Sequence, residues 1–390
     1  MGVAVALFLA AVAWFGHAFL LTVWLNVWFA MPLRRWFLKR MRAAVALLVF
    51  TFPLALAWLC GRELLATWAD PEILTHRPVV LSYLALCWLT ALAYLPIISA
   101  VRALRRDPPQ VEACGSRVED IAKRLGEKPI GNGKYWRLAR LPGTQCFQVE
   151  FRELTLRLPR LPRALDGLTI LHLTDLHFCG TPGREFYRQV MDIALSAGTA
   201  DILAITGDVV DSHHHHKWIV PLIGRLKWNA AAFAILGNHD LYHEPALVRR
   251  RLRRIGVRVI GNGWERIEVR GTPLVVIGNE TPWFRPGPDL SACPSEPFRL
   301  CLSHTPDNFG WARRNRIDLM LAGHVHGGQV RLPLIGPLFV PSRFSRKYDC
   351  GAFAAGPTLM YVGRGLAGGE PLRYNCRPEV TRIKLVSGEW

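Results

Sequence analysis

Five short stretches of the chain carry side chains that can bind metal ions. They are Asp175-Leu-His177, Gly207-Asp208, Gly237-Asn-His-Asp240, Ser303-His304 and Gly323-His324-Val-His326. The candidate ligands that they supply are Asp175, His177, Asp208, Asn238, His304, His324 and His326. Oxygen and imidazole ligands in this number are typical of a hydrolytic site with two metal ions, whereas a structural zinc site is closed by four protein ligands. The set therefore predicts hydrolytic chemistry on a phosphate ester.

Each stretch follows a short apolar run that predicts a buried β-strand. The runs are 168–174, 201–206, 231–236, 298–302 and 317–322. In sheets that are covered on both faces, ligands gather outside the carboxyl ends of the strands. We therefore expect all five stretches to meet at one edge of an α/β fold.

The spacing of the ligands agrees with the needs of two ions. Two divalent ions roughly 3.5 to 4 Å apart need a shared anionic oxygen, and Asp208, alone after its glycine, is the natural bridge. Water shared by two cations can lose a proton near neutral pH and then attack phosphorus. Such chemistry needs no serine or cysteine nucleophile, and the sequence contains neither a G-x-S-x-G elbow nor a P-loop.

The complete ordered set of motifs resembles the calcineurin-like metallophosphoesterase superfamily over about residues 145–390. The segments TDLHFCG, SHTPD, GHVHGGQVRLPLIG and GRGLAGGEPLRYNCRPEV look like its YkuE/YaeI-like membrane-associated branch. The resemblance implies a four-layer α/β/β/α sandwich. It also implies a metal-dependent phosphoric ester hydrolase.

The resemblance assigns a role to each candidate residue. One ion would be held by Asp175, His177, Asp208 and His326, and the other by Asp208, Asn238, His304 and His324. His239 would be catalytic, because it would protonate or stabilise the leaving oxygen without binding metal. The cofactors would be two divalent ions, with manganese, iron, zinc and cobalt all compatible with mixed nitrogen and oxygen ligands.

The first 107 residues predict an all-α transmembrane domain. Residues 2–33 contain no Asp, Glu, Lys or Arg, and a helix of about 20 apolar residues is enough to cross a bilayer. The expected spans lie near 3–31, 43–60 and 79–101. We therefore predict about three helices in 1–107, a linker in 108–144 and the catalytic domain in 145–390.

Charges beside the spans predict the orientation. The first connection contains Arg34, Arg35, Lys39, Arg40 and Arg42, and the third span is followed by Arg102, Arg105 and Arg106. The loop before the third span instead balances Arg62 and Arg77 with Glu63, Asp70 and Glu72. Because basic residues stay on the cytoplasmic side, we expect a multi-pass protein of the cytoplasmic membrane with its catalytic domain in the cytoplasm.

The formal net charge of +18 favours an anionic partner. The basic residues include Arg249, Arg250, Arg251, Arg253, Arg254 and Arg258 in one cluster, and Arg343, Arg346 and Lys347 in another. The apolar run 332–340 lies beside the second cluster. These features predict either contact with a bilayer that contains anionic lipids or a solvated helix face with a packed loop.

A phosphorylated lipid, a lipid-linked nucleotide or another small phosphoester is the expected substrate, because the predicted anchor holds the domain beside lipid. Nucleic acid is not an expected partner, since no DNA- or RNA-binding motif is present. The identity of any protein partner is unknown from the sequence. The alternatives are a nuclease or cyclic-nucleotide phosphodiesterase, or a non-catalytic metal-binding scaffold in the membrane. The complete ligand set favours catalysis.

Overall fold

The structure, a computed structural model, describes residues 2–66 and 77–388. The chain forms two compact units, one from Met1–Arg106 with Leu332–Ser345 and one from Asp107–Arg331 with Arg346–Trp390. The described helices are α1 (Gly2–Phe29), α2 (Arg35–Ala66), α3 (Pro78–Leu89), α4 (Leu95–Ala103), α5 (Ile121–Leu125), α6 (Arg184–Ser196), α7 (Ile219–Ile223), α8 (Asn238–Leu241), α9 (Pro245–Arg254) and α10 (Phe309–Arg314).

The described strands all follow the first three long helices in sequence. They are β1 (Val111–Asp120), β2 (Gln148–Leu158), β3 (Leu168–Leu173), β4 (Ala200–Thr206), β5 (Trp228–Ile235), β6 (Arg258–Val259), β7 (Trp264–Val269), β8 (Thr272–Asn279), β9 (Phe298–Ser303), β10 (Leu319–Ala322), β11 (Arg331–Leu332), β12 (Gly336–Pro337), β13 (Gly351–Ala355), β14 (Thr358–Val362) and β15 (Glu379–Ser387).

The first unit contains three helices that are long and apolar enough to cross a membrane. They are Val3–Phe29, Arg35–Leu59 and Pro78–Ala103, the last of which joins α3 to α4 through a π-helical turn. Each overlaps one predicted span. Only 22%, 11% and 22% of their most apolar windows is buried, so most of this apolar surface needs a non-aqueous environment. Asp70 and Glu72, which supported the predicted orientation, lie outside the described residues.

The second unit is built on two mixed sheets. The seven-stranded sheet has the order β1-β2-β15-β3-β4-β5-β6, and the six-stranded sheet has the order β13-β14-β10-β9-β8-β7. Strands β3 to β6 run parallel to one another, as do β8, β9, β10 and β14. Their carboxyl ends therefore open at one edge of each sheet.

The apolar residues of the strands alternate between two cores. In β4, Ile202 and Ala204 lie in the core between the two sheets, whereas Leu203 and Ile205 lie in the core that α6, α7 and α9 cover. Helix α10 contacts β14 of the other sheet. This period of two explains why the strand is apolar throughout. The α/β fold class predicted from the sequence is confirmed.

The segment predicted as a linker, 108–144, instead begins the second unit. Strand β1 pairs antiparallel with β2 from Val111 opposite Leu156 to Asp120 opposite Gln148, and α5 follows it directly. The linker prediction was wrong there because β1 is an edge strand whose central residues are exposed. An edge strand of this kind lacks the apolar alternation that predicts a half-buried strand.

Candidate metal centre

The predicted ligands lie in loops at the carboxyl ends of strands from both sheets. In the seven-stranded sheet, Asp175 and His177 follow β3, Asp208 follows β4, and Asn238 follows β5 at the start of α8. In the six-stranded sheet, His304 follows β9, while His324 and His326 follow β10.

Left-handed backbone conformations turn most of these ligands into the site. Positive φ angles occur at Asp175 (52°), His177 (42°), Asp208 (51°), His324 (71°) and His326 (51°). Side chains other than glycine rarely adopt this region without cost, and such residues cluster at functional sites. Close approach also requires Gly237, because a Cβ atom there would lie 2.1 Å from Oδ1 of Asp208.

The ligands form two groups that share Asp208. One group contains Asp175, His177, Asp208 and His326, and the other contains Asp208, His304 and His324; the ligand atoms of each group lie within 4.8 Å of one another. Oδ2 of Asp208 lies 3.5 Å from Nε2 of His177 and 3.3 Å from Nε2 of His304. Oδ1 of Asn238 lies 3.1 Å from the same His304 nitrogen.

Backbone carbonyls fix the ring orientation of two histidines. Nδ1 of His304 donates to the carbonyl of Thr206 at 2.8 Å, and Nδ1 of His326 donates to the carbonyl of Ala367 at 2.9 Å. A carbonyl oxygen can only accept, so Nε2 of each ring carries the lone pair when the ring is neutral. Metal-binding histidines are oriented in the same way.

Burial and neighbouring charges shift the pKa values of the ligands in opposite directions. Burial alone would raise the pKa of Asp208, but the nearby imidazoles of His304 and His239 hold it well below its usual range. Burial would lower the pKa of His304, yet the Asp208 carboxylate raises it to about 9. Burial holds the pKa of His324 and that of His326 well below the usual value. The Asp208 carboxylate thus attracts positive charge. The imidazoles of His324 and His326 stay neutral, which is the form that binds metal.

The donor set fits divalent metal ions. Within residues 2–66 and 77–388, Oδ2 of Asp208 and Nε2 of His324 are buried and make no hydrogen bond, although buried polar atoms usually have a partner. Both atoms belong to the groups described above. A cation would satisfy the carboxylate oxygen and the imidazole lone pair together.

Asp211 is a site residue that the sequence interpretation missed. Its Oδ1 lies 2.8 Å from Nδ1 of His239 and 3.2 Å from Nε2 of His243, and Oδ2 lies 3.8 Å from Nδ1 of His177. The sequence did carry a signal, because Asp211 is a second carboxylate three residues after Asp208 in the same loop. Its carboxylate lies close enough to accept a hydrogen bond from the His239 ring.

Two further missed residues follow β8. The ring of Trp283 lies 4.7 Å from that of His324 and 5.4 Å from that of His304, between centroids. Glu280 is buried; it accepts from the backbone nitrogen of Leu236 at 2.7 Å and pairs with Arg249 at 2.5 Å. Trp283 therefore lines the centre, and Glu280 fixes the strand end that precedes Asn238. Arg249 of the predicted basic cluster is engaged in this contact.

The mixed sheets and the shared cluster of aspartates and histidines define a metal-dependent phosphoric ester hydrolase. The profile of the family described as Calcineurin-like phosphoesterase matches residues 168–328. This range contains every predicted ligand. The chain belongs to the calcineurin-like metallophosphoesterase family.

Three known proteins resemble the chain over more than half of its length. The chain is 29% identical to the uncharacterized metallophosphoesterase YkuE of Bacillus subtilis, over 61% of this chain and 86% of YkuE. It is 32% identical to the phosphodiesterase YaeI of Escherichia coli, over 56% of this chain and 82% of YaeI. A zebrafish transmembrane protein with a metallophosphoesterase domain is 26% identical, over 58% of this chain and 55% of that protein. With the three apolar helices, this last similarity indicates membrane association.

Proposed function

We propose that the chain is a membrane-anchored phosphoesterase that uses two divalent metal ions to hydrolyse a phosphodiester or pyrophosphate bond. The observation that carries the proposal is the pair of ligand groups joined by Asp208, each with its ligand atoms within 4.8 Å. A bridging carboxylate between two open sites is what hydrolysis with two ions requires. The similarity to the phosphodiesterase YaeI supports a diester substrate.

The two ion sites would use the ligand groups together with Asn238. One ion would be held by Asp175, His177, Asp208 and His326, and the other by Asp208, Asn238, His304 and His324. Manganese, iron, zinc and cobalt all suit this donor set. When bound, the ions would lower the pKa of a shared water and neutralise charge on the phosphate oxygens.

His239 is the proposed general acid. Nδ1 of its ring lies 2.8 Å from Oδ1 of Asp211, an arrangement that leaves Nε2 to face the substrate. As water attacks phosphorus and releases a proton to solvent, the bond from phosphorus to the leaving oxygen breaks, and the proton on Nε2 passes to that oxygen. Asp211 is a positioning residue, because it orients the ring and stabilises its protonated form.

A lipid or lipid-linked nucleotide is the proposed substrate class, with the protein as a multi-pass component of the cytoplasmic membrane and its catalytic unit in the cytoplasm. Three spanning helices and the basic residues that flank them support this topology. Reporter fusions at both termini test it. A reporter that works only outside the cytoplasm should be active when it is fused to the N-terminus. A reporter that works only in the cytoplasm should be active when it is fused to the C-terminus.

Hydrolysis of bis-p-nitrophenyl phosphate with Mn²⁺ tests the proposed activity. The wild-type chain in detergent should release p-nitrophenol, and the Asp208→Asn variant should not, because the bridging charge is lost. Asp289→Asn is a matched control, since Asp289 is an exposed loop carboxylate outside the centre. Equal rates for wild type and Asp208→Asn would contradict the mechanism and leave a scaffold role.

A further inference from the structure

Residues Leu332–Ser345 belong to the same compact unit as the three spanning helices, although they follow the last metal motif in sequence. We call this segment the apolar hairpin. It contains the tight turn between β11 and β12, which pair as a two-stranded sheet. Its first residue is six positions after His326.

A buried asparagine of α1 binds the apolar hairpin. The Asn26 side chain is fully buried; its Nδ2 donates to Oγ of Ser345 at 3.0 Å, and its Oδ1 accepts from the backbone nitrogen of Val340 at 2.9 Å. The rings of Phe29 and Phe339 pack edge to face with centroids 5.3 Å apart. A polar amide in a helix of this hydropathy is strongly unfavourable unless it is satisfied by protein. The hairpin is therefore part of the membrane unit and not an incidental loop.

The other side of the apolar hairpin exposes large apolar side chains. The exposed fraction is 95% for Leu334 and 40 to 46% for Leu332, Leu338 and Phe344. Leu334 also has a φ of 62°, which is unusual for a residue with a side chain. The exposed Arg343 lies near the end of the segment. Apolar residues next to a basic residue are typical of segments that enter a lipid interface.

We infer that the apolar hairpin inserts into the lipid bilayer beside the spanning helices. Lipid is the occupant that the structure favours, because the exposed leucines continue the apolar surface of a unit whose helices are suited to lipid. The inference deepens the proposed function and rests on it for the substrate class. Only six positions of sequence separate His326 from the first residue of this segment. The substrate phosphate is therefore one carried at the membrane surface.

A probe at the tip of the hairpin tests insertion. The full-length chain, with an environment-sensitive fluorescent amino acid at position 334, is reconstituted in phosphatidylcholine and phosphatidylglycerol nanodiscs that contain spin-labelled lipid. Leu141 is the matched control position, because it is a loop leucine of the second unit with 40% exposure. We expect quenching at 334 to exceed that at 141 by about threefold or more, as for an inserted segment. Equal quenching at the two positions overturns the inference.

Photocrosslinking identifies the occupant. A photoreactive amino acid at position 338 should crosslink to lipid in the same nanodiscs, and crosslinks to a second copy or to another protein instead would overturn the inference. Both experiments are repeated with Asp208→Asn, whose catalysis should be lost while its hairpin is unchanged. Insertion without hydrolysis by the wild-type chain contradicts only the proposed function. Hydrolysis of bis-p-nitrophenyl phosphate without insertion contradicts only the inference.

Discussion

The two sheets of the catalytic unit supply different atoms to the metal centre. Strands of the seven-stranded sheet provide all the oxygen ligands, from Asp175, Asp208 and Asn238, together with His177. The six-stranded sheet provides only imidazoles, from His304, His324 and His326. Each ligand group draws on both sheets, so neither sheet can form the centre alone. We therefore expect metal binding to depend on packing between the sheets.

Substitutions of the candidate metal ligands give the largest expected effects. They test whether each sheet contributes ligands to the metal centre. His304→Ala and His326→Ala each remove an imidazole from one group, and each should retain about one ion per chain. Asp208→Asn removes the shared carboxylate and should lose both ions, with hydrolysis reduced on the order of 10³-fold or more. Metal content by mass spectrometry, together with initial rates, checks this. Retention of two ions by Asp208→Asn would show that the carboxylate is not the bridge.

Two Leu→Ala variants compare the core between the sheets with the outer core, which α6, α7 and α9 cover. Leu300 lies in the core between the sheets and Leu222, a residue of α7, lies in the outer core; both are at most 1% exposed. Each Leu→Ala change should cost about 2 to 5 kcal/mol of unfolding free energy. Only Leu300→Ala should also weaken metal binding, because the spacing of the sheets sets the ligand distances. Denaturant unfolding in detergent measures the stability of each variant, and metal titration measures its affinity for metal. Equal metal affinities of Leu300→Ala and Leu222→Ala would show that packing between the sheets does not control metal binding.

A buried polar contact also joins the sheets. Glu379 of β15 accepts from the Tyr361 hydroxyl of β14 at 2.6 Å and from Nε of Arg364 at 2.6 Å. Burial would raise the pKa of Glu379, but Arg364 and Arg152 lower it to about 2 from the ordinary 4.5. The carboxylate therefore stabilises the fold above pH 4.5, and this stabilisation is lost as the pH falls from 4.5 toward 2.

The variant Glu379→Gln tests this pH dependence, because its thermal midpoint can be compared with that of the wild type at each pH. Its thermal midpoint in detergent with chelator should lie below that of the wild type at neutral pH. The gap should narrow as the pH falls below 4.5, because Glu379 of the unfolded wild-type chain takes up a proton there while the folded chain does so only near pH 2. A gap that stays constant down to pH 3 would show that the charge of Glu379 does not stabilise the fold.

The Asp211→Asn variant gives the smallest expected loss of activity. It tests whether His239 protonates the leaving group. Because Asp211 acts through the His239 ring, the loss in kcat should be about 10- to 100-fold, with KM little changed. The loss should be larger for a phenyl phosphodiester than for the p-nitrophenyl substrate, since a poorer leaving group depends more on a proton. Asp289→Asn is again the control. The same loss for both leaving groups would exclude a role in protonation.

Much of the fold could be predicted because the central strands are apolar on both faces. The apolar runs correctly placed the strands that precede Asp175, Asp208, Asn238, His304 and His324. Strand β1 could not be predicted in this way, because its stability comes from pairing with β2 rather than from buried side chains. The metal roles of the individual ligands stay predictions.

Contacts between distant segments account for what the sequence did not indicate. Trp283 lies against His304 and His324 because β8 runs beside β9, and Glu280 reaches the end of β5 because β8 contacts β5 of the other sheet. Likewise, the run 332–340 is apolar in sequence, but its attachment to the membrane unit depends on Asn26, over 300 residues away. No local pattern encodes such pairs.

Five of the seven ligands hold left-handed backbone angles in the folded chain. Each such residue costs roughly 1 to 2 kcal/mol in an L-amino acid, and the surrounding strands impose that cost before any ion arrives. Metal uptake should therefore demand little rearrangement of the main chain, which favours fast loading and a rigid holoenzyme. Replacing such a ligand by glycine should raise the free energy of unfolding and abolish hydrolysis, so stability and activity are opposed at these positions.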